Sequence, residues 1–117
     1  LQKLLKGDTI ALVSDAGTPL ISDPGLSLVA LAHQYAITIV PIPGPVAAIT
    51  ALSVAGLACS RFAFEGFLPA KPSARQKCLA ELVNESRTLI FYEAPHRILA
   101  LLADLVMYFG DQRLACI

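Results

Sequence analysis

Asp15 and Asp23 stand in Ser14-Asp15-Ala16-Gly17-Thr18-Pro19-Leu20-Ile21-Ser22-Asp23-Pro24-Gly25, a polar stretch rich in glycine and proline that lies between apolar segments. Carboxylates in such a place can take up a proton, hold a ribose or bind a metal; they can equally be turn aspartates that accept backbone N–H bonds. Their spacing matches no metal-ligand template, so a metal role is rejected. Thr18 and Ser22 can hydrogen-bond a ligand or cap the helix that follows. A second loop, Pro41-Ile42-Pro43-Gly44-Pro45-Val46-Ala47-Ala48, offers unpaired N–H groups at a helix start, with small side chains that let a flat group lie close. The same residues also suit a tight turn whose alanines only permit close packing. Glu93-Ala94-Pro95-His96-Arg97 sets a carboxylate, an imidazole and a guanidinium at one strand terminus, where they can do acid–base work or hold phosphate. His96 also reads as a surface or capping histidine. Lys71, Arg75 and Lys77 flank a helix start, as phosphate contacts or as a solvated face.

The elements that must position these groups alternate in type. Thr9-Ile10-Ala11-Leu12-Val13 is short, apolar and β-branched and predicts a buried strand; Ile37-Thr38-Ile39-Val40, Phe62 to Glu65, Thr88 to Tyr92 and Arg113 to Ile117 predict four more. Helices are expected from Gly25 to Tyr35 (buried side Leu26, Val29, Leu31, Ala32), from Pro45 to Gly56, and from Ser73 to Asn84 (apolar face Cys78, Leu79, Leu82, Val83). A last one is expected from Pro95 to Phe109, apolar at Ile98, Leu99, Leu102, Leu105, Val106 and Phe109. Strand–loop–helix alternation predicts an α/β fold with at least partly parallel strands, whose ligand loops sit at the carboxyl ends of the strands.

Composition bounds the rest. The chain has 117 residues, 56% hydrophobic and 15% charged, which excludes disorder. Nine basic and nine acidic residues cancel, but residues 61–77 hold Arg61, Lys71, Arg75 and Lys77 against Glu65 alone, a local basic excess. The uncharged run from Gln34 to Ser60 is broken by Pro41, Pro43, Gly44 and Pro45 into pieces too short to span a bilayer. Cys59, Cys78 and Cys116 show no metal spacing, and an odd count argues against a disulfide framework; free thiols in or near a core are expected. No Ser-His-Asp order, Walker loop, HExxH or GxGxxG is present. There is no signal peptide, and a start at Leu1, in mid-element, reads as a piece of a longer protein. Composition changes near residues 57–61, which divides the chain into residues 1–60 and 61–117.

Four ordered motifs carry a resemblance: Ala11-Leu12-Val13-Ser14-Asp15-Ala16-Gly17-Thr18-Pro19 with Asp23-Pro24-Gly25; Pro43-Gly44-Pro45 with Ala47-Ala48-Ile49-Thr50-Ala51-Leu52; Phe64-Glu65-Gly66-Phe67-Leu68-Pro69 with Lys71; and Tyr92-Glu93-Ala94-Pro95-His96-Arg97. Together they resemble the tetrapyrrole (corrin/porphyrin) methylase superfamily across essentially the whole chain. Relatives that make corrinoids or sirohaem usually carry Gly-Gly-Asp-Pro in the first loop. Ala16-Gly17-Thr18-Pro19 departs from this and is closer to the branch that methylates a cytidine 2′-hydroxyl in 16S rRNA.

The resemblance implies two α/β domains, usually in a homodimer, with S-adenosylmethionine in the cleft between them. The present chain would be the central part: the end of the first domain and the start of the second. It implies donor contacts at Asp15, Ala16, Gly17, Thr18, Pro19, Leu20 and Ile21, at Gly44, Ala47 and Ala48, and at Phe67 and Leu68. Asp15 or Glu93 would act as base or orienter, and Lys71, Arg75, His96 and Arg97 would contact RNA. A cytoplasmic location, no membrane and no metal are expected, with the piece inactive alone. Methylation of a tetrapyrrole or another substrate on the same fold, and a non-catalytic ligand-binding module, are the alternatives.

Overall fold

Phe62–Phe67 (β1) and Thr88–Tyr92 (β2) concentrate the aromatic and β-branched residues that suit a pleated, half-buried surface, and they pair in parallel in the computed structural model, which describes all 117 residues. The register runs from Phe62↔Thr88 to Phe67↔Tyr92, with a bulge between Phe64 and Gly66 where Gly66 takes a left-handed φ of 62°. Parallel neighbours need a crossover. Pro72–Leu82 supplies it as a helix with Pro72 in its first turn, where a missing N–H costs nothing. The expected α/β architecture is therefore present.

The chain divides into two compact units, Leu1–Ala47 and Ala48–Ile117, and the composition change at residues 57–61 lies inside the second. The first unit holds α1 (Gln2–Leu5) and α2 (Leu26–Gln34). Residues 9–13 and 37–40 are not strands: no neighbouring strand pairs with them in a ladder, and strand propensity without a ladder forms no sheet. Val13 is 81% exposed and Ile42 equally so, and on α2 Leu26 and Leu31 are exposed while Ala32 is buried.

The end of α2 is well specified. The Ile37 N–H donates to the Ala32 carbonyl (2.9 Å) and the Ala36 N–H to that of His33 (3.1 Å), the paired bonds of a Schellman cap. This cap puts Ala36 at φ 53°, a region where a Cβ is unfavourable. Ala36→Gly is therefore expected to stabilise the chain by about 0.5–1 kcal/mol, read as a raised urea midpoint with an unchanged slope.

In the second unit α3 (Ala47–Val54, all but its first residue) is followed by β1, the crossover helix α4 (Pro72–Leu82), β2, a 3-10 turn at Pro95–Arg97, and α5 (Ile98–Phe109). The expected helix from residue 95 is thus a turn and a helix in succession. Residues 113–117 form no strand and are exposed. Leu68, Leu79 and Leu101 make the core, with Cys78, Phe91, Leu105 and Tyr108 packed around it. Leu99 and Val106, expected on the buried side of α5, face solvent. The inward row instead includes Leu101, Asp104, Leu105 and Tyr108, which share one face at helical spacing. Cys59 and Cys116 are exposed thiols rather than core residues; only Cys78 lies against the core.

Candidate functional site

In the first unit, the stretch 14–25 folds as a sequence of tight turns without regular structure. Ser14 Oγ donates to the Ala16 carbonyl (3.0 Å) and accepts from the Ala16 N–H (3.3 Å), and the Ile21 N–H donates to the Thr18 carbonyl (3.3 Å). Gly17, Leu20 and Ser22 all take left-handed φ values, 79°, 74° and 58°. For a bulky residue such as Leu20 that conformation is costly, and strain of this kind concentrates at ligand clamps. Neither Asp15 nor Asp23 caps a backbone N–H, and no side chain caps α2. Asp15 is exposed and unpaired, so its carboxylate is available to a ligand or a proton.

Gly25 closes the loop. Its φ is 133°, and a Cβ there would meet the Leu12 and Leu20 side chains at 3.0 Å. Gly25→Ala is expected to cost about 1–3 kcal/mol of stability and to loosen residues 15–21, seen as faster amide exchange in that loop. Gly44, by contrast, has nothing within 4 Å of a built Cβ, and Ala47 is exposed, so backbone in the second loop is open to close approach. The helix starts at Ala47, two residues later than the proline pattern suggests.

The second unit gathers several motif residues at the carboxyl ends of β1 and β2. The Tyr92 hydroxyl accepts the Ala48 N–H at 3.0 Å, so the start of α3 is satisfied by a side chain from β2. The Tyr92 ring stands edge-on to Phe64, with centroids 5.0 Å apart, and lies 5.4 Å from Phe67, whose own ring is half exposed. Glu93 is not a free base. Its side chain is only 3% exposed; Oε1 accepts the Ala94 N–H (2.8 Å) and Oε2 accepts from an Arg97 terminal nitrogen (3.0 Å). That nitrogen also donates to the Leu68 carbonyl at 2.9 Å.

Two of the four expected RNA contacts are likewise occupied internally. Arg75 is buried: its Nε lies 2.6 Å from Asp104 Oδ2. Gln76 donates to the other Asp104 oxygen at 3.0 Å, and the Gln76 and Arg75 bonds hold the Asp104 carboxyl below the usual carboxylate range. Arg97 is three-quarters covered. Lys71 and His96 remain exposed, as does Lys77. At the opposite ends of the strands an open polar depression of about 480 Å³ is lined by Ser60, Arg61, Glu85, Ser86, Arg87 and Thr88. There Arg87 forks onto Glu85 and lowers its carboxyl to about 2, a surface pair of small energetic weight.

A profile of the tetrapyrrole (corrin/porphyrin) methylases matches residues 1–117, the full span of these loops and strand exits. The chain belongs to that family. Among curated proteins the chain is 57% identical over 117 residues to a Xylella fastidiosa (strain Temecula1) protein named ribosomal RNA small subunit methyltransferase I, covering 100% of the chain and 43% of the relative. It is 57% identical over 113 residues to an Escherichia coli O157:H7 protein of that name, covering 97% and 40%. A Synechocystis protein of the same name is 56% identical over 113 residues, again covering 97% and 40%. The chain thus spans about two fifths of the length of these relatives.

Three residues of the chain do work that the spacing arguments did not assign. Asp104 fixes Arg75 and is itself held by Gln76, and Tyr92 satisfies the start of α3. Asp104 had a visible signal: it is the one charge in the twelve residues of α5.

Proposed function

We propose that this chain supplies donor-binding loops and strand exits of an S-adenosylmethionine-dependent enzyme that methylates a cytidine ribose 2′-hydroxyl in the 16S rRNA of the small ribosomal subunit. The observation that carries this reading is the 55–58% identity, over nearly the whole chain, to relatives named ribosomal RNA small subunit methyltransferase I. The donor supplies a methyl group already activated on a sulfonium. The protein's task is then alignment, with removal of the hydroxyl proton. Asp15, exposed and unpaired, is the base or orienter we retain; Glu93 is withdrawn from that role by its buried ion pair.

The residues fit a donor of this kind. Residues 15–21 form a strained turn with open backbone at Gly17, and Gly44 and Ala47 leave room for close approach. Ala48 contributes through the shape of the α3 start, since Tyr92 takes its N–H, while Phe67 offers a half-exposed ring beside the Leu68 turn. Lys71 and His96 are the phosphate contacts we keep, joined by Lys77.

Val13, Leu26, Val40 and Ile42 are 70% or more exposed, an apolar surface of the kind that further protein covers. Transfer is therefore expected from a protein of the relatives' length that contains this chain, acting in the cytoplasm as a homodimer, and not from these residues alone. No helix is long and apolar enough to cross a membrane. Calorimetric titration of such a protein with S-adenosylmethionine tests the reading: saturable binding, weakened by bulk at Gly44 (Gly44→Val), supports it, and no binding rejects it.

A further inference from the structure

The parallel ladder between β1 and β2 ends at Phe67↔Tyr92, and the two strands then part, one toward α4 and the other into the 3-10 turn. One group continues the connection past that last pair. The terminal nitrogen of Arg97 donates both to the Leu68 carbonyl on the β1 exit (2.9 Å) and to Glu93 on the β2 exit (3.0 Å). Glu93 is fixed in turn, because its second oxygen holds the Ala94 N–H and its side chain is almost fully buried.

The peptide that Arg97 holds is unusual in chemistry. It joins Leu68 to Pro69, so it has no N–H, and its carbonyl is its one polar group. The Leu68 side chain is already anchored beside Leu79 and Leu101. With the side chain set in the core and the carbonyl set by a charged donor, the turn has little freedom left. Arg97 Nε meanwhile is buried with no hydrogen-bond partner. The guanidinium is thus placed for the bridge between the strand exits and not for satisfaction of all its donors.

We propose that Arg97, oriented by Glu93, is a positioning residue for the methyl donor: it sets the Phe67–Leu68 exit against which the donor lies, and is not an RNA contact. This rests on the donor-binding reading above. A lysine does not reproduce the role, because its ammonium ends one bond short of the terminal nitrogen that serves both acceptors and lacks the guanidinium plane that fixes their directions. Displacement of the turn by a fraction of an ångström is felt in alignment more than in folding.

The test uses a protein of the relatives' length carrying this chain, with Arg97→Lys, Arg97→Ala and Glu93→Gln. S-adenosylmethionine affinity is measured by calorimetry, KM is measured separately for donor and for RNA, and thermal unfolding is followed in parallel. Arg97→Lys is expected to raise the donor Kd and KM by about tenfold or more while the RNA KM and the unfolding midpoint stay near wild type. Glu93→Gln, which keeps the shape but removes the charge and replaces one of the two acceptor oxygens with an NH2 donor, is expected to show a shift of the same kind and serves if the arginine variants fail to fold. A raised RNA KM with unchanged donor KM would overturn the proposal in favour of an RNA contact. Unchanged donor affinity in folded Arg97→Lys and Glu93→Gln proteins would overturn it outright. If the wild-type protein itself binds no donor, the function reading fails and this inference fails with it.

Discussion

Asp104→Asn is expected to destabilise the second unit by about 3–5 kcal/mol, a large part of the stability of an ordinary domain. The substitution keeps shape but removes the charge opposite Arg75, whose side chain is 6% exposed and whose Nε sits 2.6 Å from the carboxylate. The remaining contact of that guanidinium, a 3.5 Å approach to the Ala70 carbonyl, is too long to replace a carboxylate. A cation left buried without its partner is what makes the change costly. Replacing both members with apolar residues, Arg75→Met with Asp104→Leu, removes the stranded charge and is expected to come close to wild type. Urea denaturation of the two variants checks both statements; a loss below 1 kcal/mol in Asp104→Asn would show that water reaches the pair. The same pair gives a pH signature. Because the Asp104 carboxyl is held below its ordinary 3.8, the stabilisation it provides is complete above that value and is lost as the pH falls through its lower folded value. Asp104→Asn should abolish that part of the acid sensitivity.

Leu79→Ala is the second large effect, with an expected cost of about 2–5 kcal/mol. Leu79 is the one fully buried large side chain of the core and touches the cluster that includes Leu68 and Leu101. Truncation leaves a void where α4 packs against α5, and the spread of the estimate reflects how far α5 can settle into it. Leu79→Met, which keeps the volume, should cost less than about 1.5 kcal/mol. The consequence reaches the proposed donor contact, because Leu68 carries the turn that Arg97 holds. Donor affinity of the alanine variant is expected to fall along with stability, whereas in the Arg97→Lys variant affinity falls alone. Comparing the two by calorimetry and urea denaturation separates core packing from positioning.

How far the chain could be read in advance depended on whether a residue's partners were local. Thr88–Tyr92 and the parallel pairing of β1 with β2 were legible from apolar runs bounded by turn residues and from the helix between them. The strands expected at 9–13 and 37–40 had the right composition but no backbone neighbour, and composition cannot reveal the absence of a ladder partner. Arg75 looked like a surface cation because its partner Asp104 lies 29 residues away, and Arg97 because one of its two partners, the Leu68 carbonyl, lies as far off while only Glu93 is local. Apolar periodicity passes over a buried charge, and so the inward row of α5 was displaced from Leu101 and Asp104 toward Leu99 and Val106. The stretch 14–25 was legible as an irregular loop rich in glycine and proline, yet its strained residues included Leu20 and Ser22, whose left-handed conformations no propensity scale would suggest.

The most direct measurement is nucleoside analysis of rRNA after incubation of unmodified small ribosomal subunits with S-adenosylmethionine and a protein of the relatives' length that contains this chain. Donor-dependent appearance of 2′-O-methylcytidine in 16S rRNA, reduced strongly by Asp15→Ala, is the expected result. A protein that binds the donor yet leaves the rRNA unmethylated, or that methylates a tetrapyrrole instead, would contradict the proposed function.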